Sequence, residues 1–509
     1  MVTATETHGK KAKYVIPRPR NWYNFGVALF VAVGSLCYGY ASSISAAPIG
    51  QQSWYDYMDL EAGTAHTNAI LGAINGIYAA GGAFGCVYNM WSSEYYGRKR
   101  SIQIGCCISI VGATIMTASV DVGMFIASRF IMGFGIGVLV TFVPLYQSEV
   151  SPPESRGVGL HGVLIGFSYS MTGFITYGCY FAPYGQFQWR FPLAVQLIPT
   201  SILLIGSFWL PYSPRWLLSQ GRDEAAWKVT QRLHASKSDP DDNFAHAEYN
   251  QMQAQIEFER KHNAVGTLAQ ARLAFSQKSY LKRLGLGFLV QFGNQCTGAL
   301  VINNYNTILF SGLGITGAMP LLLLGFFNLV TVPGNLFNGL FIDRFGRRRF
   351  VIVGCIGIIV CLSGEAAITA QFVDTGSTNR VGLGFGVGFI FAFPMVIRSF
   401  GMSWSIMGQF IATVILLEAA PTAFANIGYG FWILLICLTA IYATLIYFFL
   451  PETKGMTLED ISVLFGDPVE LSFEQALSKQ EHREADDGDE VMMQEKQEGR
   501  QVENIPLEK

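Results

Sequence analysis

Glu94-Tyr95-Tyr96-Gly97-Arg98-Lys99-Arg100 and Asp343-Arg344-Phe345-Gly346-Arg347-Arg348-Arg349 are two versions of one pattern. Each sets an acid, then a glycine, then a run of cations between two long apolar segments. The glycine allows a tight reversal, and the cations can pair with acids at neighbouring helix ends. One copy alone could be simple charge anchoring. Two copies, after the second and the eighth apolar run, divide the chain into corresponding halves, as an internal duplication does. A second echo closes each half: Pro211-Tyr212-Ser213-Pro214-Arg215-Trp216 in the first, Pro451-Glu452-Thr453-Lys454-Gly455 in the second.

Working outward, 51% of the 509 residues are hydrophobic and 14% charged, against about 25% charged in soluble proteins. Lys and Arg number 34 against 36 Asp and Glu, a net charge of −2 that gives no basic excess for nucleic acid. A helix needs about 20 apolar residues to cross a bilayer. Such runs fall near 24–45, 69–91, 101–119, 123–146, 158–181, 191–210, 284–308, 319–341, 350–370, 401–419 and 428–450. A shorter one runs from Val381 to Ile397, weakened by Gly382, Gly384, Gly386, Gly388 and Pro394. The chain therefore reads as an all-α integral membrane protein of twelve spans in two six-helix bundles, the tenth span short. The expected parts are an N-terminal tail (1–21), a first bundle (22–210), a polar loop (211–282), a second bundle (283–450) and a tail (451–509).

Positive charge sets the orientation. With both termini in the cytoplasm, Lys10, Lys11, Lys13, Arg18, Arg20, Arg98, Lys99, Arg100, Arg156, the central loop and Arg344 to Arg349 all lie inside. The outer loops then keep Arg190 and Arg380. Arg398 falls on the inner side only if the weak stretch crosses. The central loop contains helix-like segments, Asp223 to Leu233 and Ala247 to Lys261, and the acidic tail after Phe465 reads as disordered. All nine cysteines lie inside apolar runs without metal-ligand spacing, so no disulfide, metal or other cofactor is expected. The first apolar run follows about twenty polar residues and lacks a cleavage site, so it reads as a span rather than a signal peptide.

Further motifs stand in order: Arg129-Phe130-Ile131-Met132-Gly133-Phe134-Gly135, Val143-Pro144-Leu145-Tyr146-Gln147-Ser148-Glu149-Val150-Ser151-Pro152, Arg156-Gly157 and Ser213-Pro214-Arg215-Trp216-Leu217. With the two glycine turns and Pro451 to Gly455, they make the chain resemble the sugar-porter branch of the major facilitator superfamily, its fungal members above all, from about residue 22 to 466. The resemblance implies the major facilitator fold, with a sugar site between the bundles near mid-membrane. It also implies a cytoplasmic gate of Arg98, Arg129, Glu149, Arg156, Asp343 and Arg347, to which Glu94 of the first turn and Arg398 are added. A charge at lipid depth is costly unless paired. Glu149, Arg129 and Arg156 are read as sitting at helix ends facing the Arg98 loop, where pairs made in one state would favour the outward-open form.

Sugars need amide and phenol partners for their hydroxyls. In the seventh run Gln291, Asn294, Gln295 and Gly298 recur at helical spacing, followed by Asn303, Asn304, Tyr305 and Asn306. Such amides inside an apolar helix are expensive unless they face a cavity or a partner helix. The resemblance places the family's paired Gln at Asn294 and Gln295, and its paired Tyr at Asn304 and Tyr305. Asn328, with Thr331 and Asn335, and Gln409 in the eleventh run are further candidates, either as solute ligands or as packing amides.

The chain also departs from the family. The first-span Asp that follows Gly-Tyr there is Ala41 here, after Gly39-Tyr40, which removes that route to proton coupling. Glu365 and Glu418 remain, as coupling carboxylates or interfacial residues. The fifth span's Gln is replaced near Gly162, after His161. The tenth span lacks the Gly-Pro and Trp signature, and its Glu is Phe391, so Arg347 loses an expected partner. Gly157-Val158-Gly159-Leu160-His161-Gly162 matches a dinucleotide spacing but follows no strand, and no P-loop, metal-ligand helix or nucleophile elbow supports an enzyme or pump. The expectation is a plasma-membrane secondary transporter of a hexose, pentose or small oligosaccharide, facilitated or proton-coupled. The alternatives are a carrier of another small organic solute, such as a quinate-like acid or secondary metabolite, and a non-transporting sugar sensor.

Overall fold

The structure is a computed structural model that describes residues 21–150, 160–235, 242–261, 275–276, 278–373, 375, 380–392 and 404–452. Among the described residues there is helix and no strand. Nine stretches of the described residues are long and apolar enough to cross a membrane. The first is Trp22–Ile49, kinked between Trp22–Val31 and Val33–Ser43. Then come Ala65–Tyr95, Gly97–Thr117 and Val122–Val150. The sixth span position holds Phe187–Val195 and Leu197–Ser207. In the second half stand Met319–Phe345, Arg347–Ile368, Trp404–Ile427 and Gly430–Phe449. Three further helical stretches fill the remaining positions: Leu160–Tyr180, a broken seventh span, and the short Arg380–Ala392.

The seventh span corrects the single run expected from 284 to 308. It is two helices, Lys278–Cys296 and Ala299–Gly312, separated where Gly298 takes φ +84. That left-handed conformation is cheap only for glycine, and a Cβ there would stand 2.7 Å from the Leu435 side chain. Tyr305 is a second irregular point inside the outer piece, with φ −106 and ψ 15.

Inside a bilayer helices gain little by burying apolar surface from one another, so small residues that let backbones approach decide the packing. Gly81 and Gly85 on the second span oppose Gly133 and Gly137 on the fourth. A Cβ on Gly85 would abut the Phe134 carbonyl, and one on Gly133 the Tyr78 carbonyl. The halves meet along two seams. A Cβ on Gly72 of the second span would lie 2.5 Å from the Glu418 carbonyl of the eleventh. One on Gly173 of the fifth would lie 2.5 Å from the Gly325 amide nitrogen of the eighth. The outward faces carry exposed apolar stripes, Ile198, Ile202 and Ile205 or Val353, Ile356 and Val360, at helical spacing. Such stripes suit hydrocarbon and would be unfavourable in water.

Each half's closing motif docks on that half's glycine turn. Gly97, at φ +72, leaves room for the Trp216 indole, whose Nε1–H donates to the Glu94 carbonyl at 3.1 Å. Gly346, at φ +95, leaves room for the Glu452 carboxylate, which accepts from the Arg348 backbone N–H at 3.3 Å. In the central loop Pro214–Ser219, Asp223–His234 and Asn243–Lys261 are helical. Ser213 caps the first of them by accepting from the Trp216 N–H. Trp216, Leu217, Leu218, Ala226 and Ile256 bury a small cluster there. The Asn24 amide donates to the carbonyls of Val150 at 2.8 Å and Leu233 at 3.3 Å, fastening the loop to the first and fourth spans. The acidic tail and the end of the tenth span lie outside the described residues.

Candidate solute-binding site and gates

Between the halves lies a cleft lined by Tyr38 and Ser42 of the first span, Asn75 and Tyr78 of the second, Leu300 and Asn304 of the seventh, and Phe410, Thr413 and Leu417 of the eleventh. Helical geometry explains the grouping. Tyr38, Ser42 and Ser45 recur at intervals of three and four, as do Asn75 and Tyr78, so each set shares a face. The room left for a water's centre is about 10 Å³, roughly one water. A sugar-sized solute enters only if the helices separate.

Polar groups of the residues in and behind the wall pair with one another across the seam. Ser45 Oγ–H donates to Asn304 Oδ1 at 2.6 Å, and the Asn304 amide turns back to the Leu300 carbonyl at 2.9 Å. Asn75 donates to the Tyr305 hydroxyl at 3.0 Å, and Tyr305 donates to the Leu417 carbonyl at 2.8 Å. Gln409 donates to the Tyr38 hydroxyl at 2.7 Å, while Ser42 and Tyr78 share a hydrogen bond of 3.0 Å. Not every buried amide is so engaged. Gln295 Oε1 and both polar atoms of Asn303 and of Asn306 are buried without a hydrogen-bond partner among the described residues. Burying such groups unpaired costs about 1–3 kcal/mol each.

Of the expected residues the structure places Asn304 on the cleft wall, with Tyr305 and Gln409 just behind it, bonded to the wall residues Asn75 and Tyr38. Gln291, Asn294 and Gln295 precede the break in the seventh span and do not line it; Gln291 and Gln295 are buried, Asn294 less so. Asn328 is buried on the eighth span with its amide on its own helix, at 3.1 Å from the Leu324 carbonyl, away from the cleft lining. Its neighbour Asn335 crosses the other seam, donating to the Gly162 carbonyl at 2.8 Å. The residues that sequence reasoning missed are Tyr38, Ser42, Ser45, Asn75, Tyr78 and Thr413. Their helical recurrence was a readable signal, but Ser, Thr and Tyr are common enough in membrane helices to carry little weight alone.

At the glycine-turn end, Arg98 clasps Glu149: Nε and Nη2 donate to Oε1 at 3.0 and 2.7 Å, and Nη1 donates to the Ser93 carbonyl at 3.1 Å. Both residues belong to the first half, so this pair ties the third span to the fourth and does not itself bridge the halves. Glu149 Oε2 is buried without a partner among the described residues, which leaves one acceptor for a cation from elsewhere. The backbone carbonyl of Glu94 receives Trp216 and Gln220. Asp343 lies in the last turn of the eighth-span helix and Arg347 opens the ninth, on either side of the Gly346 turn. Arg156 and Arg398 lie outside the described residues.

Arg129 is not part of that group, which corrects its expected place. It precedes Glu149 by twenty residues on one helix, about 30 Å along the axis. Its guanidinium lies over the Tyr78 ring, 4.3 Å from the centroid. It donates to Asn75 Oδ1 and the Ala41 carbonyl, both at 3.3 Å, and to the Ile74 carbonyl at 3.4 Å. The sequence reading took Arg129, which the resemblance assigned to the gate, as a helix-end residue, whereas the helix extends well past it. Of the two remaining carboxylates, Glu365 is buried and Glu418 is exposed. No group of His, Cys, Asp and Glu among the described residues could hold a metal ion.

Two helical halves with a cleft between them define the class as an α-helical integral membrane protein. The chain belongs to the family described as "Sugar (and other) transporter", which matches residues 27–465. It is 32% identical over 444 residues to the MFS-type transporter criB of Aspergillus cristatus, covering 86% of this chain and 92% of that one. It is 30% identical over 491 residues to a probable quinate permease of Aspergillus flavus, covering 88% and 90%. Its fold resembles that of the proton:xylose symporter XylE bound to 6-bromo-6-deoxy-D-glucose, at TM-score 0.70 and 20% identity over 87% of this chain and 99% of that one. The protein is a multi-pass membrane transporter of the major facilitator fold, and its family is one of carriers rather than enzymes.

Proposed function

We propose that this protein carries a polyhydroxylated solute, a sugar in the first instance, by alternating access through the cleft between its halves. The observation that carries the reading is a lining contributed by both halves, in which Tyr38, Ser42, Asn75 and Tyr78 meet Asn304 and Thr413, with Gln409 bonded to Tyr38 behind it. Hydroxyls and amides of this kind match the alternating donors and acceptors of a sugar, and a cleft this small must open to admit one.

In this reading Asn304, Tyr305 and Gln409 contact the solute, with Gln291, Asn294, Gln295 and Asn328 reached as the helices rearrange. Glu94, Arg98, Glu149, Asp343 and Arg347, with Arg156 and Arg398, form the gate at the glycine-turn end. That end faces the cytoplasm of the plasma membrane, as the positive charge directs, and residues 22–210 and 283–450 move as two bodies. Protons are a candidate second partner. Because Ala41 replaces the usual first-span carboxylate, coupling would have to use another group, such as the buried Glu365.

Uptake of labelled xylose in a transporter-deficient host, with and without a protonophore, tests this. Accumulation above the outside level that collapses with the protonophore identifies a symporter, and equilibration indifferent to it identifies a facilitator. Surface-expressed protein that moves no polyol of any kind would instead identify a sensor.

A further inference from the structure

The outer piece of the seventh span, Ala299–Gly312, has two polar faces. One carries Asn304 and Tyr305, which are bonded to Ser45 and Asn75 of the first half. The other carries Asn303, Asn306 and Thr307, whose spacing of i, i+3 and i+4 sets them on one side of the helix. Phe310 continues that side. Its ring lies 6.2 Å from that of Phe391 on the tenth span, which lies 6.2 Å from that of Phe327 on the eighth. The second polar face therefore looks into the second half, away from the cleft, whose lining includes none of its residues.

Asn303, Asn306 and Thr307 are all buried. Both amide atoms of Asn303, both of Asn306 and the Thr307 hydroxyl lack a hydrogen-bond partner among the described residues. Other buried asparagines differ: the amides of Asn75, Asn304 and Asn328 each reach the carbonyl four residues back on their own helix. So many orphaned atoms within about one turn would together cost as much as the whole net stability of a domain, which calls for an occupant. The atoms fix its chemistry. Amide nitrogens only donate, amide oxygens only accept, and a hydroxyl does both. A cation would pair the oxygens alone and an anion the nitrogens alone, and this helix carries no carboxylate, lysine or arginine to balance either. Water pairs with every one of them.

We infer that Asn303, Asn306 and Thr307 hold a small cluster of ordered water behind the seventh span, separate from the cleft, and that the outer piece turns on it. The backbone is built for such a turn, with Gly298 left-handed at the start of the piece and Tyr305 irregular between Asn303 and Asn306. A helix packed dry fits its neighbours in one position, because interiors are close-packed. Hydrogen bonds to water can re-form after the helix shifts.

X-ray radiolysis of the full chain in lipid nanodiscs, read by mass spectrometry, tests the site with water itself as the probe. Radicals made from water oxidise the rings beside it, and Phe310 is 0% exposed, so its oxidation reports water held inside. Phe431, 1% exposed and packed on Phe424, is the dry reference. Oxidation of Phe310 several-fold above that of Phe431 is expected. It should fall to the reference in the triple variant Asn303→Leu, Asn306→Leu, Thr307→Val, which keeps the shapes and removes the polar atoms. Thiol labelling at Leu300→Cys, on the cleft side of the same helix, should slow several-fold in that background. Should the triple variant fail to fold, Asn306→Leu alone removes one whole amide and should lower both readings. Equal oxidation of Phe310 and Phe431 in the parent would overturn the water site, and labelling as fast as the parent's in the dry variant would overturn the hinge. Neither reading depends on which solute is carried.

Discussion

The Asn75 amide donates to the Tyr305 hydroxyl at 3.0 Å, and the same hydroxyl donates to the Leu417 carbonyl at 2.8 Å. One phenol so joins the second span of the first half to the seventh and eleventh spans of the second, at the irregular turn of the broken helix. Arg129 accepts no part in the seam directly but holds Asn75 by its oxygen, leaving the amide hydrogens to face Tyr305.

Tyr305→Phe should therefore weaken closure at this point. Losing the hydroxyl leaves Asn75 underbonded, a cost of about 1–3 kcal/mol. The check is thiol labelling at Leu300→Cys on the cleft wall, with the exposed Cys107 and Cys437 replaced. Labelling is expected to rise roughly five- to 150-fold; an unchanged rate would show that the phenol does not hold the seam.

Glu149→Gln keeps the shape of the clasp with Arg98 but removes its charge. Charge-assisted bonds contribute about 1.5–3 kcal/mol, so uptake should fall about tenfold or more at equal surface expression, with membrane insertion unaffected. Uptake equal to the parent's would remove Glu149 from the transport cycle.

The glycine seam between the second and fourth spans predicts a position-specific response. Gly133→Val would drive a side chain into the Tyr78 carbonyl, whereas Gly178 has nothing within 4 Å of an added Cβ. Overpacking of this kind costs about 1–3 kcal/mol or more. Gly133→Val should lower the melting temperature and monodisperse yield of purified protein, and Gly178→Ala should change neither.

Gly97 and Trp216 should be coupled. Gly97→Ala meets two penalties: the left-handed φ, at about 1–2 kcal/mol, and the indole, 2.7 Å from the new Cβ. In a Trp216→Ala background only the first remains. Thermal unfolding of both single variants and the double variant should show a combined loss smaller than the sum; strict additivity would mean that the indole does not constrain the turn.

Much of this architecture could be read before any coordinates. The duplicated turns at Gly97 and Gly346 gave the two-half layout, and runs of about 20 apolar residues located the helices. The helical segments of the central loop were also legible, because composition and periodicity are local properties. The break at Gly298 was not: a glycine in an apolar run looks the same in a straight helix as at a left-handed turn. Nor could Arg129 be placed, since its surroundings come from the first, second and seventh spans, far apart in the chain.

By itself the sequence determined that this chain lies in a bilayer, in two related halves, because the cost of exposing long apolar runs to water admits no other class of fold. Which amides face the cleft was decided by tertiary structure alone. Helical periodicity names faces but not neighbours, and only the packing of the second span on the eleventh and of the first on the seventh brought Asn75, Ser45, Asn304 and Gln409 to one place. The same packing set the Arg129 guanidinium against Ala41, Ile74, Asn75 and Tyr78, a fact about neighbours that no single helix contains.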